Sequence, residues 1–115
     1  MRTIVQTVAI VLAGRLNGDG SRPISQFKRQ PKDHPYRRAL QRVNIILTQI
    51  TRNDLDRYAL ASAVFNRPIY STYELTVAEV KAFLSVAHPT GGIEIHPGFL
   101  NYLYQELEKI YDEQF

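Results

Sequence analysis

The chain contains no cysteine and no tryptophan. No disulfide framework, thiol nucleophile or cysteine-based zinc site is therefore open to it. That composition fits a reducing compartment, and a cytoplasmic location is expected. No stretch of eighteen apolar residues occurs, so no membrane-spanning helix and no membrane partner are expected. The signatures GxxxxGK(S/T), GxGxxG and GxSxG are missing, and with them the commonest phosphate-, dinucleotide- and acyl-transfer sites. Internal repeats and low-complexity tracts are absent too. What remains is 115 residues, enough for one domain around one modest core.

Five amphipathic segments organise those residues. From Thr3 to Leu16, the residues Ile4, Val8, Leu12 and Leu16 recur every four positions, flanked by Val5 and Val11. This spacing favours a helix, although the β-branched content of the segment also suits a strand. Gln6 and Thr7 interrupt the apolar run and Arg15 follows Gly14, which argues for a buried first element over an export signal. A second segment, Pro35 to about Thr51, sets Tyr36, Leu40, Val43, Leu47 and Ile50 on one stripe, with Asp33 or His34 placed to cap it. The third starts near Asn53 with Leu55, Tyr58, Ala59, Ser62 and Phe65, and stops before Pro68. Thr76 and Glu79 make a capping box for the fourth, which carries Val77, Val80, Leu84 and Ala87. The fifth begins at Pro97 with Leu100, Leu103, Leu107 and Ile110 on one face and Glu106 in reach of Lys109. The class expected is all-α. A single helical domain spans residues 1–115, a bundle of four to five helices with a long basic loop at about residues 17–34.

Acidic residues are scarce where basic ones abound. Residues 1–70 hold twelve Lys/Arg against four Asp/Glu, and residues 71–115 hold two against seven. Such a lopsided field points to a polyanion partner, to head-to-tail packing with copies of itself or other subunits, or to two halves that neutralise each other. The charge peaks in SRPISQFKRQPKDHPYRR, residues 21–38, with six basic residues, one acid and three prolines. Pro23, Pro31 and Pro35 deny this stretch a continuous helix. Ile24 and Phe27 are expected to dock it on the core.

Catalytic and metal chemistry find little support. His34, His88 and His96 each precede a proline at a helix boundary and do not converge at ligand spacing, so no metal site and no cofactor are expected. Asn17-Gly18-Asp19-Gly20-Ser21 opens like a calcium loop, but Lys28 stands where the bidentate glutamate belongs. Glu106, Glu108, Asp112 and Glu113 read as the solvated face of the last helix. No serine has a histidine and an orienting acid in a readable arrangement. The chain is not expected to be an enzyme.

The basic set is the signal that remains. With Tyr36 at zero and about 100° per residue, the core stripe of the second helix falls between about 320° and 40°. Arg38, Arg42, Gln49 and Arg52 fall between about 160° and 240°, a ridge opposite the core. Lys28, Arg29, Lys32 and Arg37 extend the charge into the preceding loop. These seven cations are the candidate nucleic-acid-binding residues; their alternative is an ordinary solvated face. Phe27 and Tyr36 interleave with them, in reach of a base for stacking but better accounted for by the core. A helix-turn-helix at segments two and three would present Asp54 and Asp56 to the phosphates. Backbone contact without base reading is therefore favoured. Two other readings use the same residues: an adaptor for an acidic protein surface, and a small dimeric DNA-binding regulator.

In size, helix count and charge layout the chain resembles the small helical subunit of CRISPR effector complexes. The likeness rests on Lys28, Arg29, Lys32, Arg37, Arg38, Arg42 and Arg52 on one side and the acidic segment Pro97 to Phe115 on the other. It implies a non-catalytic subunit of an antiviral-defence ribonucleoprotein, holding RNA or DNA by its phosphates beside other subunits or copies of itself.

Overall fold

A computed structural model describes residues 2–113. Thr3 caps the first helix, α1 (Ile4–Arg15), its hydroxyl accepting the Gln6 N–H at 3.0 Å. Spacing thus prevails over β-branched content. The buried face, however, is Val5 and Ala9, while Ile4 is 73% exposed. A repeat of four drifts by about 40° per step on a 3.6-residue helix, so Ile4 falls off the inward face while Val8, Leu12 and Leu16 pack, half-buried, against the core.

Helix α2 (Pro35–Ile50) starts with proline in the first turn and His34 Nδ1 accepting the Tyr36 N–H at 3.2 Å. Its 4-3-4-3 spacing holds one face, and Leu40, Val43 and Leu47 are buried as expected, joined by Ile46. Helix α3 (Asp54–Phe65) is capped by Asn53 and closed by Asn66 in the left-handed region, φ 54°. Here the expected stripe is displaced. Leu55 is 80% exposed, and the inward face is Asp56, Leu60, Ala61, Val64 and Phe65. A carboxylate at the buried position disguised it in the sequence.

Helix α4 (Val77–Ala87) carries the expected capping box, with Thr76 Oγ1 accepting from Glu79 N at 3.1 Å and Glu79 Oε1 from Thr76 N at 2.9 Å. It is buried nearly all round, as a helix packed between others should be. Helices α1 and α2 lie against it, and α5 (Pro97–Glu113) packs mainly on α3. Phe65, Phe83 and Phe99 run through the centre, the last two edge to face at 5.2 Å. Helical structure accounts for every named element, and no strand occurs among the described residues.

The basic stretch is more ordered than a long loop. Gly20 and Arg22 carbonyls accept the N–H groups of Ala78 and Val77, each at 3.0 Å, and Ile24 N donates to Leu75 O at 2.8 Å. The stretch thereby satisfies donors that the start of α4 would otherwise leave unpaired. A short 3-10 turn, Ile24–Phe27, then buries both of its apolar residues. Residues 28–34 remain as a run of turns into α2.

Candidate nucleic-acid interface

Two grooves flank the exposed face of α2. One, about 670 Å³, lies between α2, α4 and the end of α1, and Arg38, Arg42 and Lys81 line it together with Asp33, Ser85 and His88. The other, about 550 Å³, is lined by Lys32, Arg37, Gln41, Asn44, Thr48 and Tyr73. Ile45, half exposed, and Gln49 stand on the ridge beside the second groove. Helical periodicity alone sends Arg37 to one side of α2 and its neighbour Arg38 to the other.

The candidate cations differ in how free they are. Among the described residues, the side chains of Arg29, Lys32, Arg38 and Arg42 make no hydrogen bond or ion pair, and all four are exposed. Lys28 lies over the Tyr73 ring at 4.5 Å, a contact that leaves its other side open to solvent-borne anions. Arg37 gives one Nη1 hydrogen bond to Gln30 O at 2.6 Å and keeps the rest of its fork. Arg52 is otherwise engaged. Its Nε donates to Asp56 Oδ2 at 2.9 Å and its guanidinium lies 4.1 Å from the centre of the Tyr111 ring. The helical wheel does not apply to it, because α2 ends at Ile50 and Thr51 turns extended, φ −109° and ψ 154°. Arg52 therefore leaves the predicted ridge and joins α3 to α5.

Asp56, which a helix-turn-helix would have turned toward phosphates, is buried beneath Arg52. Phe27 and Tyr36 are not stacking platforms. Their rings meet edge to face at 4.9 Å, and the Tyr36 hydroxyl donates to Asp19 Oδ2 at 2.8 Å. That bond is the main reason the Asp19 carboxyl sits below its ordinary range and the Tyr36 phenol above its own. The histidines serve backbone: His34 and His96 accept N–H groups at Nδ1, and His88 Nδ1 meets Glu94 O at 3.0 Å. Among the described residues, no group of three or more His, Asp or Glu is placed to hold a metal. Glu106 pairs with Lys109 at 3.3 Å, as the spacing anticipated.

Two contributors escaped the sequence reading. Lys81 sits on α4, well beyond the basic stretch in sequence, and reaches the first groove only because α4 packs beside α2. Asn44 lines the second groove with Oδ1 shut away from water and without a partner. An unmet buried acceptor costs about 1–3 kcal/mol, and asparagine is a poor interior helix residue besides. Nothing in the apolar periodicity flags either residue. Compared with models of protein families, with curated proteins and with solved structures, the chain matches none.

Proposed function

We propose that this protein is a non-catalytic helical subunit that holds the phosphate backbone of a nucleic acid, without reading its sequence, inside a ribonucleoprotein assembly. The observation that carries the reading is the first groove. Arg38 and Arg42 from α2 and Lys81 from α4 converge there, and none of them is in an ion pair, although Asp33 shares the lining. Guanidinium forks suit phosphate oxygens, and a strand passing over α2 gains further charge from Arg29 and Lys32. The place in a larger assembly rests on the resemblance to the CRISPR small subunit.

The test is binding of short single-stranded RNA and DNA, followed by anisotropy from about 50 to 200 mM salt. Each phosphate contact on a single strand contributes about 0.7 to the slope of log affinity against log salt. The double variant Arg38→Glu, Arg42→Glu should lower that slope by about 1.4 and weaken all sequences alike. Unchanged binding of the double variant across the series refutes the assignment. Failure of any polyanion to bind, with a protein partner co-purifying, favours the adaptor.

A further inference from the structure

We infer that the second groove of α2 is a nucleobase pocket, which takes one base of the strand whose backbone runs over the helix. The inference deepens the strand-binding reading and rests on it. Three observations meet in this groove. It is lined by uncharged groups that donate and accept, Gln41, Asn44 and Thr48, spaced three and four apart on one helix flank. Two cations, Lys32 and Arg37, share the lining. Asn44 Oδ1 is buried there with no hydrogen bond.

The chemistry of that set is selective. A phosphate alone would use the cations and leave the amides idle. An apolar ligand would leave Asn44 unmet. A nucleotide uses both: its phosphate faces Lys32 and Arg37, and the Watson–Crick edge of any of the four bases offers an adjacent donor and acceptor that a carboxamide, turned either way round, pairs with in two bonds without choosing among them. The terminal torsion of asparagine is soft, so a turn about χ2 brings Oδ1 to the groove that the side chain already lines. Thr48 Oγ1 accepts from Arg57 Nη1 at 3.2 Å, which leaves its own proton to donate. Tyr73 forms the far wall and is held by Lys28 on one ring face. At about 550 Å³ the groove lies within the ordinary range for small-ligand sites.

The pocket is tested on the full chain with adenosine 5′-monophosphate, ribose 5-phosphate and an abasic strand, by side-chain amide NMR and anisotropy. Adenosine 5′-monophosphate should move the Asn44 and Gln41 amide signals with a dissociation constant on the order of millimolar. Ribose 5-phosphate should leave them in place. Asn44→Leu, with the same branching but no amide, should abolish the Gln41 response and reduce binding of a base-bearing strand several-fold while leaving the abasic strand unaffected. Equal shifts from ribose 5-phosphate, or none from the nucleotide at about 10 mM, overturn the base pocket. An abasic strand that binds as tightly as a base-bearing one also overturns it, and leaves backbone binding standing. A nucleotide response at Asn44 with no strand binding upholds the pocket for free nucleotides and sinks the strand reading instead.

Discussion

The guanidinium of Arg52 stands over Tyr111, 4.1 Å from the ring centre, while its Nε holds the buried Asp56 at 2.9 Å. One side chain thus closes the corner where α2 hands over to α3 and clamps the last turns of α5 onto both. The same hydrogen bond holds the guanidinium above its ordinary pKa. An arginine held in this way is fixed at the junction of α3 and α5, away from the line of Arg38 and Arg42, although its side chain stays about half exposed. Arg52→Ala should lower the melting temperature, because Asp56 is left buried without its partner. It should not change the salt slope of nucleic-acid binding. A fall in slope comparable to that of an Arg38 variant would return Arg52 to the binding tract.

Lys81 is the reverse case, a residue outside the basic stretch that the fold brings to it. Its Nζ lies 5.7 Å from the centre of the Tyr36 ring, above the groove shared with Arg38 and Arg42. Lys81→Ala should reduce the salt slope by about 0.7, one phosphate's worth, with little loss of stability. Combined with Arg38→Ala and Arg42→Ala, the reductions should add. A lysine that contributes nothing to the slope would confine the tract to α2.

How much of this was open to view in the amino-acid order follows from what each signal measures. Caps and breakers act within a few residues, and Pro35, Asn53, Thr76 with Glu79, and Asn66 set helix ends that need no knowledge of the rest. The stripe of α2 was equally legible because alternating steps of four and three keep to one face. The stripes of α1 and α3 were not. In α1 the repeat of four carries Ile4 off the inward face, whose most buried residues are Val5 and Ala9, with Val8, Leu12 and Leu16 half-buried beside them. In α3 the inward face includes a carboxylate, and burial of Asp56 becomes intelligible only with Arg52 above it. The site was half legible for the same reason. Arg38 and Arg42 follow from the period of one helix, whereas Lys81 and Asn44 matter through the packing of α4 and a turn near Tyr73 beside α2.

Arg67 and Glu79 form a bidentate ion pair. Two bonds join them, Nη2 to Oε1 at 2.7 Å and Nε to Oε2 at 3.1 Å, and Nη2 also reaches Glu74 O at 2.9 Å. Glu79 is nearly buried, and the same carboxylate caps α4, so the pair ties the loop after α3 to the start of the central helix. Arg67 is about one-third exposed, which discounts the gain. Arg67→Ala should cost about 2 kcal/mol, read as a lower urea midpoint at unchanged slope. A cost within about 0.5 kcal/mol would mean that water replaces the arginine fully.

Gly20 is fixed by space. A Cβ placed on it would stand 2.5 Å from Ala13 Cα and 2.9 Å from Ala13 O, and neither backbone atom can swing aside. The glycine lets the chain cross α1 closely enough for its carbonyl to meet Ala78 N. Gly20→Ala should destabilise by about 1–3 kcal/mol. Gly14, with nothing within 4 Å of its added Cβ, serves as the control, and its alanine variant should be neutral or stabilising. Equal effects at the two positions would remove the packing argument.

The bond from Tyr36 to Asp19 predicts the acid limb of the stability profile. Tyr36 is the first cause of the lowered Asp19 pKa. Burial opposes it, and the hydrogen bond and charge of Arg22 add to it. A carboxyl whose pKa is lower in the folded state stabilises the fold above its unfolded value of about 3.9, and that share is lost as pH falls through the folded value. The phenol is raised by the same bond, so its share is present below about pH 10 and lost as pH rises through its folded value. Tyr36→Phe removes both. The melting temperature of the parent chain should therefore exceed that of Tyr36→Phe by a constant margin from about pH 5 to 9, and the margin should shrink below about pH 4. A margin that persists unchanged into acid would show that the contact is held by shape and not by the carboxylate's charge. Direct titration of the Asp19 carboxyl by NMR, below the ordinary value in the parent and back toward it in Tyr36→Phe, checks the cause itself.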